Sequence, residues 1–348
     1  MKLRKFSDCD NPDAFRADFS TLPHRVRKDP FRVGLLAAPI CERFLATPYP
    51  APRDFWLCYN KNDRAVGGIS ANVSASRADT GYFGLFEVEL ESGCEQIASL
   101  LVSAACDWLA KQGVSRIVGP IAFNTWFPYR FRLDSDERCF DWEPVNPPEY
   151  VLAVEAAGFE IGEKYSSTAF SELEEVAGKL EPAYRRSLSE GFRYRAFAAD
   201  SLDTHIPALY RISHAAFSDN YLFEPIAQEL FAKAYVSIAD KGRRMLSWFV
   251  LDPNGEPVGF LYTFIVRIVC DGTTETAVVL KSIAIMPDMR GKGLSNGLLY
   301  LVIKESLELG TDYAISATVH SGIQSESYAR KGGQLWRHEY ALWQKDIS

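Results

Sequence analysis

No stretch of the 348-residue sequence approaches the ~18 consecutive apolar residues of a membrane-spanning helix. The opening residues, Met1 to Phe15, carry basic side chains with no apolar segment behind them, so they do not read as a secretory signal and a cytoplasmic location is the default expectation. Cys-x-x-Cys pairs are missing as well. The seven cysteines stand at 9, 41, 58, 94, 106, 139 and 270, an odd number that points to reduced, structural thiols. None of the five histidines forms a closely spaced pair, which speaks against a metal site. Positive charge is short: 38 Lys and Arg against 45 Asp and Glu leave a net −7, so general nucleic-acid binding is not expected. The densest basic run, His24-Arg25-Val26-Arg27-Lys28, reads as a solvated segment or cleft rim. What remains, 47% apolar and 24% charged residues in a chain long for one core, describes a globular protein of two domains.

The most informative stretch runs from Ala277 to Gly310. Val278, Val279, Leu280, Ile283 and Ile285 form a β-branched apolar run that predicts a strand covered on both faces and ended by Pro287. From Leu294 the period changes, with Leu294, Leu298, Leu301, Val302 and Leu309 on one helical face and Gly310 as the stop. Between strand and helix lies Arg290-Gly291-Lys292-Gly293-Leu294-Ser295. Its glycines permit positive φ and close approach of a ligand. Its cations, together with the unpaired first N–H groups of the helix, suit a phosphate or pyrophosphate. Two other nucleotide motifs fit poorly. A dinucleotide fold needs Gly-x-Gly-x-x-Gly and an acid ending the next strand, whereas Gly297 comes one residue late and Asp312 precedes that strand. A P-loop needs Gly-Lys followed by Ser or Thr, and Lys292 is followed by Gly293. A tight turn with solvated charges stays open as the plain alternative.

Arg290 to Ser295 resembles the pyrophosphate loop of the GNAT acyltransferase superfamily, Gln/Arg-x-x-Gly-x-Gly/Ala, with Ser295 where the family has Gly or Ala. Tyr328-Ala329-Arg330-Lys331-Gly332 follows at about the distance of that family's Tyr-x-x-x-Gly segment. The resemblance implies acetyl-CoA or another acyl-CoA as co-substrate, held at Arg290, Gly291, Lys292, Gly293, Leu294 and Ser295. Backbone N–H groups of Ile283, Ala284 and Ile285 would meet the pantetheine and the thioester. It implies Tyr328 as the acid for the departing thiolate, and Ser321 in place of an Asn that often contacts the cofactor. Glu275, before the strand, and His320, at the end of the next one, are weighed as a base without an assignment.

Strand, hairpin, strand, helix, strand occurs twice. The first copy reads Phe55–Tyr59, Ala65–Ser76, Tyr82–Leu90, the helix Glu95–Gln112 and Ser115–Val118; the second reads Leu246–Leu251, Pro257–Val269, the central strand and helix, and Tyr313–Val319. This is also the core order of the resembling family, and Gly119–Asn124 and Asn146–Tyr150 resemble segments of uncharacterised bacterial tandem-GNAT proteins. The expected fold is therefore α/β (α+β): two tandem GNAT-like domains, 1–172 and 173–348, each a mixed, mostly antiparallel sheet flanked by helices and joined near 171–195. The first copy's helix start bears Glu91 and Glu95 with Gly93. Carboxylates there suit the helix dipole and repel pyrophosphate, so acyl-CoA binding is expected in the second copy alone. Trp126, Tyr129 and Trp142 are candidates to line an acceptor pocket, with loop packing as the alternative. The expected function is N-acyl transfer, most simply of acetyl, to a small-molecule or peptide amine, with no nucleic-acid or membrane partner. A Fem-type aminoacyl or peptidyl transferase, which has no need of the Arg290–Ser295 loop, and a non-catalytic acyl-CoA sensor are the alternatives.

Overall fold

The computed structural model of the chain describes residues 1–26, 49–90, 93–239, 244–321, 329 and 331–347. The chain passes between two compact units. The first comprises Met1–Ser135, Asp141–Lys164 and Glu339–Ser348; the second comprises Asp136–Phe140 and Tyr165–His338. Where the sequence reading cuts the chain once, at 172/173, the units interleave, and the final strand belongs largely to the first. The sequence also predicts a short amphipathic piece at Phe31–Phe44, which lies outside the described residues.

The first unit contains β1 (Lys2–Lys5), α1 (Pro12–Val26), β2 (Arg53–Tyr59), β3 (Ala65–Val73), β4 (Thr80–Val88), α2 (Cys94–Lys111), β5 (Arg116–Gly119), β6 (Phe131–Arg132), α3 (Pro148–Ala156) and the start of β7 (Glu160–Phe170). Strands β1 to β4 pair antiparallel in sequence order, and β4 pairs parallel with β5. Strand β5 is flanked by Trp343–Asp346 of the last strand. Strands β3 and β4 are buried at every residue because helices cover both faces. Helix α2 sets Ile97, Leu101, Ala105 and Leu109 four residues apart on one face, and α1 sets Phe15, Phe19 and Leu22 on the other. Each such fully buried large side chain contributes about 1.5–3 kcal/mol. One part of this interior is charged. Arg132 donates to Asp134 at 2.6 and 2.8 Å and faces Glu143 at 3.9 Å; Glu143 also accepts from the Tyr340 hydroxyl. Asn146 Oδ1 fixes the Arg132 backbone N–H at 2.6 Å.

The second unit contains α4 (Leu173–Ser189), β8 (Arg193–Phe197), α5 (Leu202–Phe217), α6 (Gln228–Ala239), β9 (Ser247–Leu251), β10 (Pro257–Cys270), β11 (Thr273–Ile285), α7 (Leu294–Glu308), β12 (Tyr313–His320) and the start of β13 (Gln334–Asp346). Its sheet runs β8-β9-β10-β11-β12 and is closed by the β7 residues opposite β12. Alternation along the strands sorts the core. Val250, Leu261, Val278 and Leu280 pack with α4 and α7. Phe249 and Tyr262 meet Phe197 and Tyr235 on the opposite face, which α5 and α6 cover.

Helix α7 buries Leu294, Gly297, Leu298, Leu299, Val302, Ile303 and Ser306. Leu301 and Leu309, placed on the core face from the sequence, are half-buried at its flank. The face is wider and rotated because α4 packs along it: Tyr184 stacks on Tyr300 at 4.9 Å, and a Cβ on Gly297 would fall 2.0 Å from the Tyr194 hydroxyl. Gly297 is thus a packing glycine and no part of a nucleotide motif. Gly332 is similar, since a Cβ there would meet the Ser171 carbonyl oxygen at 2.3 Å.

Candidate acyl-CoA site

Strands β11 and β12 pair in parallel from Ala277↔Tyr313 to Leu280↔Ser316 and then part. Strand β11 continues against β10 as far as Gly259↔Ile285, while β12 continues against β7 as far as His320↔Tyr165. The two diverge because each carries an irregularity at that level. Opposite the step between Tyr262 and Thr263, Lys281 is an extra residue, a β-bulge. On β12 the step between Ser316 and Val319 includes Thr318 at φ 49°, whose N–H goes to Ser167 Oγ at 2.8 Å. A wedge opens between Lys281–Ile285 and Ala317–His320, and among the described residues no strand pairs with Lys281–Ile285 on that side. Ile283 and Ile285 are half-buried, and only Ala284 of the three is buried. Met286 N–H goes to the Val258 carbonyl at 2.8 Å, so by alternation the Ala284 amide named from the sequence faces β10, while those of Ile283 and Ile285 face the wedge.

Beyond the wedge, β11 ends in a short turn at Pro287–Met289, and Arg290 is extended (φ −64°, ψ 159°). Gly291 and Gly293 are both left-handed, at φ 81° and 76°. Gly293 is the N-cap of α7; it has no side chain to bond the helix's first N–H groups, and no acid stands in the first turn. Those donors are left for a ligand. Arg290 is exposed and donates to the Ala216 carbonyl at 2.8 Å, near the C-terminus of α5, where a cation is favoured. Lys292 is exposed, with Nζ 3.6 Å from Met289 Sδ and 5.6 Å from the Phe192 ring. Leu294 is buried, Ser295 half-buried and Ser321 exposed.

A further cation was not singled out from the sequence. Arg186, from α4, lies over the N-cap, with Nη2 2.8 Å from where a Gly293 Cβ would be. The Arg-Arg pair in a charged linker carries no local signal of that position.

The titratable side chains separate by environment. His320, at the wedge end of β12, is half-buried with its ring 4.9 Å from that of Tyr165. Glu275 lies near the other end of β11 and accepts from the Tyr313 hydroxyl at 2.9 Å; burial and this carboxylate push the Tyr313 pKa far up. Glu275 is a partner for that phenol and no base for the wedge. His214 has both ring nitrogens engaged, Nδ1 with the Tyr210 carbonyl at 3.0 Å and Nε2 with the Ile226 N–H at 3.3 Å, and burial lowers its pKa. It is a neutral structural histidine. Tyr328 lies outside the described residues.

Residues 206–331 match the acetyltransferase (GNAT) family. That match gives the second unit a GNAT-family domain, which holds the β11 strand, the glycine turn and α7. The fold agrees over nearly its whole length with that of a tandem GNAT protein from the clavulanic acid biosynthesis pathway (TM-score 0.56, 13% identity, 99% of this chain and 98% of that one). Eis1 from Mycobacterium abscessus is a second structural neighbour (TM-score 0.53, 11% identity, 99% and 74%). In sequence the chain is 23% identical over 215 residues to a bacterial ceramide synthase of Caulobacter vibrioides (strain NA1000 / CB15N), covering 57% of this chain. The chain spans about half, 53%, of that relative's length. A GNAT domain implies acyl-CoA-dependent acyl transfer, and the side-chain-free N-cap, the adjacent cations and the open wedge fit the phosphates and the pantetheine of acyl-CoA.

The first GNAT-like unit has the same wedge, and it is filled. Strands β4 and β5 part after Tyr82↔Val118. The Tyr150 hydroxyl occupies the gap, accepting from the Val88 N–H at 2.7 Å and lying 3.1 Å from both Glu87 Oε2 and the Val88 carbonyl. Phe86, Phe131 and Trp343 pack around it, with Tyr150 1% and Trp343 0% exposed, so a pantetheine would have to displace core side chains. Gly93, the N-cap of α2, is left-handed like Gly293, but Glu95 stands in the first turn. Glu91 lies outside the described residues. Trp126, Tyr129 and Trp142 are half-buried in the segment after β5. Tyr129 bridges to Ile121 and carries the Arg130 guanidinium 3.7 Å above its ring.

Proposed function

We propose that the protein is a cytoplasmic N-acyltransferase, and that its second unit passes the acyl group of acyl-CoA to a primary amine. The observation that carries this reading is the open wedge of β11 and β12 leading to the cationic, glycine-capped start of α7. The amine would attack the thioester carbonyl beside Ile283–Ile285, where a backbone N–H can meet the developing oxyanion. The nitrogen then loses a proton to solvent or to a base, and the thiolate leaves as the thiol. We assign the thiolate's proton to Tyr328 from its place in the Tyr-x-x-x-Gly segment. Acetyl-CoA is the simplest donor. The ceramide synthase relative favours a second version: a ceramide is a fatty acyl amide of a long-chain amino alcohol, the same bond made with a longer acyl group and a lipid amine. Trp126, Tyr129 and Trp142 are our candidates for acceptor contacts.

Release of free CoA thiol, followed with acetyl-CoA and with long-chain acyl-CoA against polyamine, amino-sugar, peptide and long-chain amino-alcohol acceptors, tests the reading. CoA bound tightly with no thiol released for any acceptor would favour a sensor, and activity with aminoacyl-tRNA alone would favour a Fem-type transferase. Calorimetry is expected to give one CoA per chain, and two equivalent sites would overturn the assignment of the filled wedge. For Tyr328→Phe we expect turnover to fall at least tenfold while CoA affinity changes less than twofold, because proton donation to the thiolate acts in the transition state. Full turnover under chemistry-limited conditions would make Tyr328 structural.

A further inference from the structure

We infer that Arg186, which lies outside the family-matched residues 206–331, is an anion-binding residue of the acyl-CoA site. The inference rests on the acyl-CoA reading above and adds a residue to it. The guanidinium sits where an ordinary helix would carry an acid. Cations are unfavourable at a helix N-terminus, where the dipole is positive and the N–H groups point outward. Yet Nη2 of Arg186 comes within 2.8 Å of the Cβ position of the α7 N-cap. Lys292 adds a second charge one residue before that N-cap, and no acidic side chain in the first turn offsets either. Among the described residues its carboxylate partner is weakly engaged: Glu190 lies 4.0 Å from Arg186 Nε, with both side chains about half exposed (59% and 44%). An arrangement that is repulsive by itself becomes favourable once a dianionic pyrophosphate or a phosphate monoester sits among these groups, which gives the arrangement a physical reason.

The backbone holds Arg186 there. Ala183 Cβ lies 3.4 Å from the same Cβ position, so α4 crosses α7 at its first residue. Two turns along α7, Tyr184 stacks on Tyr300, and Ser187 Oγ is 2.7 Å from the Tyr194 hydroxyl that fills the space left by Gly297. These contacts fix the register of α4 on α7 and with it the place of Arg186. The other two cations are directed differently. Arg290 is spent on the Ala216 carbonyl, and Lys292 lies against Met289 and Phe192. Arg186 is the cation whose guanidinium lies against the N-cap residue, at the Gly293 Cβ position.

The test compares wild type with Arg186→Ala and Arg186→Lys as folded full-length proteins, checked by thermal unfolding. Arg186→Ala is expected to weaken CoA binding about tenfold, in line with loss of one charge-assisted hydrogen bond at a partly exposed site. The salt dependence of CoA affinity should become shallower, with Arg186→Lys in between. The ratio of kcat/KM for acyl-CoA to that for acyl-pantetheine, which has no phosphate, should fall by the same factor. Dephospho-CoA distinguishes the phosphates: a loss that persists with it assigns the pyrophosphate, which is the expected result, and a loss that disappears assigns the 3′-phosphate. Unchanged CoA affinity and unchanged salt dependence in folded Arg186→Ala would overturn the inference. Failure of the wild type itself to bind CoA would instead overturn the reading on which it rests.

Discussion

Glutamate in place of Gly293 is expected to lower CoA affinity by more than a hundredfold, to below detection by calorimetry, in a protein that still unfolds cooperatively. Three effects act together. Gly293 is left-handed at φ 76°, and an L-residue there costs about 1–2 kcal/mol. Its Cβ would point at Arg186 Nη2, 2.8 Å away, the movable end of a long side chain, so the helix can form while the guanidinium is drawn onto the new carboxylate. That carboxylate also lies beside the first N–H groups of α7, where it competes with a phosphate for the dipole and repels it. Gly293→Ala separates the contributions, because it carries the backbone strain without the charge and should lose much less. Wild-type CoA affinity in folded Gly293→Glu would remove the α7 N-terminus from the site.

Loss of the buried guanidinium at Arg132 is expected to have the largest effect on stability. The Arg132 side chain is 3% exposed and that of Glu143 is 0% exposed. Arg132→Met keeps much of the volume but removes the cation from both Asp134, which is partly exposed and also takes the Glu339 N–H, and the fully buried Glu143, which keeps the Tyr340 hydroxyl as a donor. Removing one partner of a buried pair typically costs 3–5 kcal/mol, whereas removing both charges is often close to neutral. Urea unfolding should therefore show Arg132→Met about 3–5 kcal/mol less stable than wild type. Arg132→Met/Glu143→Gln should recover most of the deficit. A double variant as unstable as the single would mean that packing around Arg132, and not charge, sets its importance.

The parts of the molecule that were legible beforehand are those whose instructions are local. The apolar run at Val278–Leu280 and the four-residue spacing of Ile97, Leu101 and Ala105 each name their own structure within a few residues. So does the Gly-Lys-Gly turn, whose left-handed glycines are found at 291 and 293. Helices α5 and α6 were not legible, although Leu202, Ile206, Leu209, Ile212 and Ala216 are helically spaced; Pro207 reads as a breaker because it has no N–H for the Asp203 carbonyl, yet the helix continues through it and buries this face. The wedge itself was not legible, because it exists only through two bulges on strands whose partners are distant in sequence. Arg186 was hidden for the same reason, since its place depends on how α4 crosses α7. Tyr150 shows the converse: a tyrosine at a helix start gives no sign that its hydroxyl will take the amide of Val88, 62 residues away.

The return of the chain's last strand to the first unit has a consequence for biosynthesis. Strand β5 is complete at Gly119, but its neighbour, centred on Trp343, emerges from the ribosome roughly 220 residues later. At 5–20 residues per second that interval is on the order of 10–45 s. Throughout it, the side of β5 away from β4 presents unpaired backbone groups that any other nascent chain with a free strand could join. The unit made first is thus finished last, and its fidelity depends on how well that one edge is shielded while the second unit is still being translated.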